Sequence, residues 1–179
     1  MVALARVWAL LLLCPACTLL FGAQAFWLDV PFVEQEENGC GAACVAMVMK
    51  YWHSRTAEAA PLPSDSEIYA ALSPDPSGGA RASDLSRYLS EHGFRVFAFA
   101  GTWNDLEQHL RKGRPLIAGL KKGSGPVPFH FVVVAGLDPG EDLVFVNDPA
   151  RRKLSKLSRA DFDREWKGCG NWTLLALPK

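Results

Sequence analysis

The chain has 179 residues, of which 49% are hydrophobic and 11% aromatic, and its formal net charge is 0. This composition excludes a largely disordered chain and supplies enough apolar surface for one domain with its own core. The sequence contains no basic stripe and no nucleic-acid-binding motif, so neither a nucleic-acid partner nor a polyanionic partner is expected.

The first 25 residues have the pattern of a secretory signal peptide. Arg6 gives a short positive region, an apolar run follows at 7–20, and Ala23-Gln24-Ala25 matches a small-x-small cleavage site. We therefore predict a signal peptide at 1–25 and an exported mature domain at 26–179, located in the periplasm or outside the cell.

The apolar run at 7–20 is too short and wrongly flanked to favour a transmembrane helix. Cys14 and Cys17 lie within the run, but neither follows the small residues expected before a lipidated cysteine. A lipid anchor and an uncleaved signal anchor are therefore the less favoured alternatives. No stable membrane span is expected after cleavage.

The secondary structure of the mature domain is predicted from hydrophobic periodicity and from capping and turn residues. In chain order we predict an extended segment at 26–32, helices at 40–53, 68–72 and 83–91, a strand at 94–99, a helix at 102–111, strands at 115–120, 130–134, 143–147 and 151–157, a helix at 158–166 and a strand at 172–177. Helices come first and an antiparallel sheet follows, which is an α+β layout in a single domain.

Cys40 stands where the first predicted helix begins. A polar, glycine-containing turn precedes it, and an Ala/Met/Val run of helical composition follows it. The unpaired backbone N–H groups and the dipole at a helix N-terminus favour a thiolate over a thiol. A thiolate is the nucleophilic form of cysteine, so the sequence predicts a nucleophile at Cys40.

Three cysteines remain after the predicted cleavage, at positions 40, 44 and 169. An odd number in an exported protein suggests one free thiol and one disulfide. If Cys40 is the nucleophile, the remaining pairing is Cys44 with Cys169. The equally favoured alternative makes Cys44 a small core residue.

A cysteine nucleophile needs a general base, and the chain offers four histidines. His53 and His92 lie at predicted helix ends, and His109 lies in an Arg/Gln-rich helix segment, so these three are expected to have ordinary surface or helix-terminal roles. His130 opens a strongly β-branched strand directly after a Gly/Pro-rich loop at 121–128. His130 is the candidate base, and the loop is a candidate wall of the substrate cleft.

Asp148 is the candidate for orienting that base. It ends the strand that follows His130, and Pro149 separates it from further strand. If the two strands form a hairpin around the turn at 138–142, their outer ends lie side by side and bring Asp148 close to His130. An aspartate beside an imidazole fixes its tautomer and supports the imidazolium.

Gln35 lies five residues before Cys40, in the turn that leads into the first helix. A glutamine amide at this place can point an N–H towards the oxyanion of a tetrahedral intermediate, which is typically worth roughly 3–4 kcal/mol of transition-state stabilisation. Gln35 is therefore a candidate oxyanion donor.

These residues together resemble the bacteriocin-processing cysteine peptidases, also called double-glycine leader peptidases. The resemblance is carried by Gln35-x4-Cys40-Gly41-x-Ala43-Cys44-x-x-Met47, by His130-Phe131-x-Val133-Val134 and by Asn147-Asp148-Pro149. It implies a papain-like fold with Cys40 as nucleophile, His130 as base, Asp148 as its orienter, and Gln35 with the Cys40 backbone N–H as the oxyanion hole. It also implies a peptide or protein substrate cut after small residues such as Gly-Gly.

Other functions were weighed against this prediction. A cell-wall amidase or a thiol acyltransferase could use the same triad, and a non-catalytic peptide-binding module could keep the fold. The Cys-x3-Cys spacing of Cys40 and Cys44 is not the usual redox spacing, and no zinc-ligand spacing is present. No metal and no cofactor are therefore expected.

Overall fold

A computed structural model of the chain describes residues 24–56, 61–72, 79–121 and 130–179. Most of the predicted signal peptide and nearly all of the candidate cleft wall at 121–128 lie outside the described residues. Within the described ranges, no helix is both long enough and apolar enough to cross a membrane.

The described residues form five helices and seven strands, in an order that matches the sequence prediction. The helices are α1 (Cys40–His53), α2 (Asp65–Leu72), α3 (Ala82–Glu91), α4 (Trp103–Arg111) and α5 (Arg159–Lys167). The strands are β1 (Phe26–Trp27), β2 (Phe94–Ala100), β3 (Leu116–Leu120), β4 (His130–Asp138), β5 (Leu143–Asp148), β6 (Arg152–Ser158) and β7 (Trp172–Pro178).

The strands form one antiparallel sheet with the order β2-β7-β3-β4-β5-β6, and β1 adds to β4. The helices α1, α2 and α3 cover one face of the sheet, and their apolar residues share a core with alternate residues of β3, β4 and β7. The helices α4 and α5 pack on the opposite face around the fully buried Phe162 and Trp166. The α+β prediction is confirmed.

The helices α1, α4 and α5 form for different local reasons. In α1 nearly every side chain from Gly41 to Met49 is buried, so tertiary packing stabilises it on all sides. The helix α4 begins with a reciprocal capping box between Thr102 and Asp105. Ser158 caps α5 by accepting the Asp161 N–H, as the sequence predicts.

The extended segment predicted at 26–32 begins as a short strand, Phe26–Trp27, and then leaves the regular ladder. Residues 28–35, which we call the N-terminal arm, run beside the β4–β5 hairpin and are joined to it by separate hydrogen bonds, the first from the Leu28 N–H to the Ala135 carbonyl at 2.8 Å. Pro31 has no N–H, which is one reason why regular ladder pairing does not continue.

Candidate active site

Cys40 is the first residue of α1, at the end of a tight turn. The turn is closed by the Gly39 N–H, which donates to the Glu36 carbonyl at 3.0 Å, and it contains Asn38 at a φ of 53°. Gly39 has no side chain to cap the helix, and the first turn of α1 carries no acidic residue. The half-buried Cys40 side chain therefore lies at a helix end where backbone N–H groups favour an anion.

Close packing fixes this helix end on both sides. A Cβ atom at Gly39 would lie 2.1 Å from Cε1 of Tyr69, and one at Gly41 would lie 2.9 Å from Cβ of Ala80 and 3.4 Å from Cδ2 of Phe131. The distances to Tyr69 and Ala80 leave no room for a methyl group, whereas 3.4 Å to Phe131 is ordinary van der Waals contact. Gly39 therefore lets the start of α1 approach α2, and Gly41 lets it approach Ala80, just before α3, while it touches the start of β4.

The β4–β5 hairpin brings His130 and Asp148 together. In the antiparallel register Val133 pairs with Asn147, and continuing that register places Asp148 opposite Val132. His130 and Asp148 are thus diagonal neighbours across the ladder. Nε2 of His130 lies 2.7 Å from Oδ1 of Asp148, and the two side chains are only 16% and 4% exposed.

Asp148 is held by further contacts on the same turn. Its Oδ1 also accepts the Ala150 N–H at 3.1 Å, and its Oδ2 lies 3.7 Å from Nε of the largely exposed Arg151. An ionised carboxylate can only accept hydrogen bonds, so the proton of this pair lies on Nε2 of His130. Nδ1 is then the ring nitrogen that can act as a base.

Gln35 lies at the end of the N-terminal arm, beside the same turn. Its backbone N–H donates to the Pro149 carbonyl at 3.0 Å. Its side-chain Oε1 is buried and has no hydrogen-bond partner among the described residues. An amide oxygen buried without a partner costs free energy, and a catalytic role of the side chain is one explanation for such a group.

Cys44 lies one turn after Cys40 on α1 and is completely buried. Burial raises the pKa of the Cys44 thiol well above its usual value, and the charges of Cys40 and Asp148 raise it further. In the structure the Gln35 backbone is hydrogen-bonded to the turn after Asp148, and Asp148 is hydrogen-bonded to His130. The first turn of α1 packs against the start of β4.

The Cys44–Cys169 disulfide, one of two equally favoured interpretations of the sequence, is not formed in the structure. Cys44 lies in the core between α1 and the sheet, whereas Cys169 follows α5 on the other side of the sheet. A disulfide needs Cα atoms within roughly 7 Å of each other, which residues separated by a sheet cannot reach. The alternative prediction, a small core residue at position 44, is confirmed.

Sequence reasoning missed two residues that position this site. Asn147 is fully buried and bonds through both ends of its amide, although the sequence analysis gave it no role beyond its place in the Asn147-Asp148-Pro149 motif. Tyr69 packs on Gly39, and its hydroxyl group bonds to the turn before Cys40. The sequence signal for Asn147 was a polar residue inside an apolar strand; Tyr69 gave none.

The fold is that of the papain-like C39 peptidase domains. The chain belongs to the peptidase C39-like family, whose model matches residues 27–173. The family predicted from the sequence motifs is thereby confirmed.

The chain is similar to the lactococcin-G-processing and transport ATP-binding protein LagD of Lactococcus lactis subsp. lactis. The two are 30% identical over 138 residues, which cover 75% of this chain but only 17% of LagD. The similarity therefore concerns a small part of that longer protein.

Three solved structures share the fold at low sequence identity. A C39-like peptidase from Bacillus anthracis has a TM-score of 0.68 at 16% identity and covers 87% of this chain and 98% of its own. The peptidase domain of Streptococcus ComA has a TM-score of 0.64 at 21% identity, with 83% and 98% covered. A double glycine motif protease from an AMS/PCAT transporter, solved with a leader peptide, has a TM-score of 0.63 at 21% identity, with 86% and 94% covered.

Proposed function

We propose that this protein is an exported cysteine peptidase that hydrolyses peptide bonds through Cys40, His130 and Asp148. The observation that carries the proposal is the buried His130–Asp148 hydrogen bond of 2.7 Å, on a hairpin packed against the helix that begins at Cys40. Membership of a peptidase family and the fold of C39 peptidase domains support it.

The proposed reaction is acyl transfer through a thioester. Nδ1 of His130 takes the proton of Cys40, and Asp148 stabilises the imidazolium that forms. The thiolate attacks the substrate carbonyl, and the side-chain N–H of Gln35 and the backbone N–H of Cys40 donate to the oxyanion. His130 then protonates the leaving amine, and water, deprotonated by His130, releases the acid and restores the thiol.

The proposed substrate is a peptide with two small residues, such as Gly-Gly, before the cleaved bond. One solved relative is described as a double glycine motif protease in complex with a leader peptide, and LagD is described as processing lactococcin G. Transport is not part of the proposal, because the similarity covers only 17% of LagD.

Peptide cleavage with matched cysteine variants tests the activity. Wild-type protein should cleave a leader peptide ending in Gly-Gly, Cys40→Ala should not, and Cys44→Ala should retain cleavage if it folds. The rate should depend on pH with a bell shape, since the thiol and the imidazole titrate together. Equal cleavage by wild type and Cys40→Ala, or a peptide with Leu-Leu in place of Gly-Gly cut equally well, would contradict the proposal.

Export is tested separately. We propose that residues 1–25 are removed as a signal peptide, which follows from the sequence pattern alone. N-terminal sequencing of protein recovered from the producing cells should begin at Phe26. An intact N-terminus on exported protein would instead favour an uncleaved anchor.

A further inference from the structure

Asn147 connects three segments around the candidate site. Its Nδ2 donates to the Val30 carbonyl of the N-terminal arm at 3.1 Å, and its Oδ1 accepts the Leu154 N–H of β6 at 2.9 Å. The residue is 0% exposed, so water does not compete for either bond. The carbonyl needs a donor and the N–H needs an acceptor, which fixes the orientation of the amide.

The bond to Val30 lies between two backbone bonds that also hold the N-terminal arm in place. The Leu28 N–H donates to Ala135 at 2.8 Å on one side, and the Gln35 N–H donates to Pro149 at 3.0 Å on the other. The first and last bonds are between backbone atoms. Asn147 therefore supplies a bond in this series that depends on one side chain.

The bond to Leu154 compensates for an irregularity in the sheet. The β5–β6 register shifts between Val146 and Asp148, and Leu154 has a φ of 50°, a left-handed conformation that is strained for leucine. At such a bulge a ladder hydrogen bond is missing. Oδ1 of Asn147 accepts the Leu154 N–H in place of a carbonyl of the ladder. One side-chain amide therefore holds the arm, β5 and β6 together.

We propose that Asn147 is a positioning residue that holds Gln35 in place as the oxyanion donor; the inference rests on the proposed function. Asp148, the next residue, orients the base, and Asn147 orients the oxyanion hole through the arm. Gln35 follows Val30 by five residues, and its side-chain oxygen has no partner among the described residues, so the placement of its amide depends on the backbone of the arm.

Two reagents separate this role from a general loss of structure. The Cys40 sulfur adds to the carbonyl carbon of a peptide aldehyde that ends in Gly-glycinal. The carbonyl oxygen gains a proton and occupies the oxyanion site. Iodoacetamide forms an S–C bond with the same thiolate and releases iodide without needing an oxyanion hole. A displacement of about 1 Å can cost about 100-fold in rate, so aldehyde affinity should fall about 10- to 100-fold in Asn147→Ala. Its iodoacetamide rate should remain that of wild type.

A matched control is available on the same sheet. Nδ2 of Asn171 donates to the Gly101 carbonyl at 3.1 Å, and Asn171 has a φ of 55°, so Asn171→Gly removes a similar bond without backbone strain. Asn171→Gly should leave aldehyde affinity unchanged. Urea unfolding identifies variants that do not fold. If Asn147→Ala does not fold, Asn147→Asp replaces it, because Asp keeps the acceptor for Leu154 and loses the donor to Val30.

Hydrogen exchange tests the inference without any activity. If Asn147 holds the arm, the Gln35 amide should exchange faster in Asn147→Ala than in wild type and Asn171→Gly. If iodoacetamide does not react preferentially with Cys40 in wild type, the proposed function is refuted. The exchange rate of the Gln35 amide would still decide whether Asn147 holds the arm. Unchanged exchange at Gln35, or equal losses with aldehyde and iodoacetamide, would overturn the inference.

A double-mutant cycle provides the final check. In a Gln35→Ala background, Asn147→Ala should cause little further loss of aldehyde affinity, because the donor it positions is already gone. If the two substitutions instead lower aldehyde affinity by factors that multiply, Asn147 acts by another route and the inference is overturned.

Discussion

Adding one methyl group next to the proposed nucleophile should destabilise the fold. Gly39 has a φ of −90°, which alanine tolerates, so backbone strain does not enter. The new Cβ would instead lie 2.1 Å from Cε1 and 2.9 Å from Cδ1 of Tyr69. Van der Waals contact between carbon atoms begins near ~3.5 Å, so either the ring or the start of α1 must move.

The Tyr69 ring cannot move without losing hydrogen bonds. Its hydroxyl group donates to the Glu34 carbonyl at 3.0 Å and accepts the Glu36 N–H at 3.1 Å. Burial raises the pKa of Tyr69 to about 12, so the hydroxyl keeps its proton at neutral pH. Overpacking costs about 1–3 kcal/mol, and one lost hydrogen bond adds about 1 kcal/mol, so Gly39→Ala should lower the free energy of unfolding by about 2–4 kcal/mol.

Equilibrium urea unfolding measures this change, and Tyr69 variants show its cause. In a Tyr69→Ala background the clash is absent, so Gly39→Ala should cost less than about 0.5 kcal/mol. In a Tyr69→Phe background the ring remains, and about 2 kcal/mol of the cost should persist. The same cost in the Tyr69→Ala background as in wild type would refute the reasoning.

Three further predictions concern the aspartate beside the proposed base, a half-buried histidine and the buried thiol. Asp148→Asn should lower kcat/KM roughly 10²- to 10⁴-fold in steady-state assays, since the imidazolium loses its negative partner; Asp163→Asn, at a surface ion pair, is the control. Burial lowers the pKa of His109 in the folded protein below 6.5, so folding favours the neutral imidazole. The stability that neutral His109 contributes is fully present above pH 6.5 and is lost as the pH falls through the folded-state pKa. The urea midpoint should therefore fall more steeply from about pH 7 to about pH 5 in wild type than in His109→Gln; equal slopes would contradict this. Cys44 should be alkylated by iodoacetamide only when the protein unfolds, and its modification in folded protein, detected by mass spectrometry, would argue against its burial.

Local sequence signals were sufficient to predict the parts of the site that lie on single elements. The start of α1 at Cys40 was predictable because a glycine-containing turn meets a helical run. The His130–Asp148 contact was predictable because two alternating strands flank turn residues, which sets their pairing. Register was predictable only approximately, since the bulge between Val134 and Gly136 leaves no mark in the sequence.

Contacts between distant residues account for what the sequence could not predict. Asn147 bonds to Val30 across 117 positions, and no local pattern marks that bond. The sequence predicted an extended segment at 26–32, but it did not show that the arm is held by separate backbone bonds and by one bond from the Asn147 side chain. The helix α3 begins at Ala82, one residue before its predicted start, and Arg81 precedes it without a side-chain cap that the sequence could have signalled. The sequence could not decide on the Cys44–Cys169 disulfide, because elimination among the cysteines takes no account of the sheet that lies between these two residues.

The order of strands in the sheet has a consequence for biosynthesis. The strand β7, at residues 172–178, is inserted between β2 and β3, so β2 joins the sheet only through it. A nascent chain that has not yet produced β7 therefore lacks an interior strand of its sheet, although Cys40 was made much earlier. Cys40 is therefore translated long before the sheet against which α1 packs can be completed.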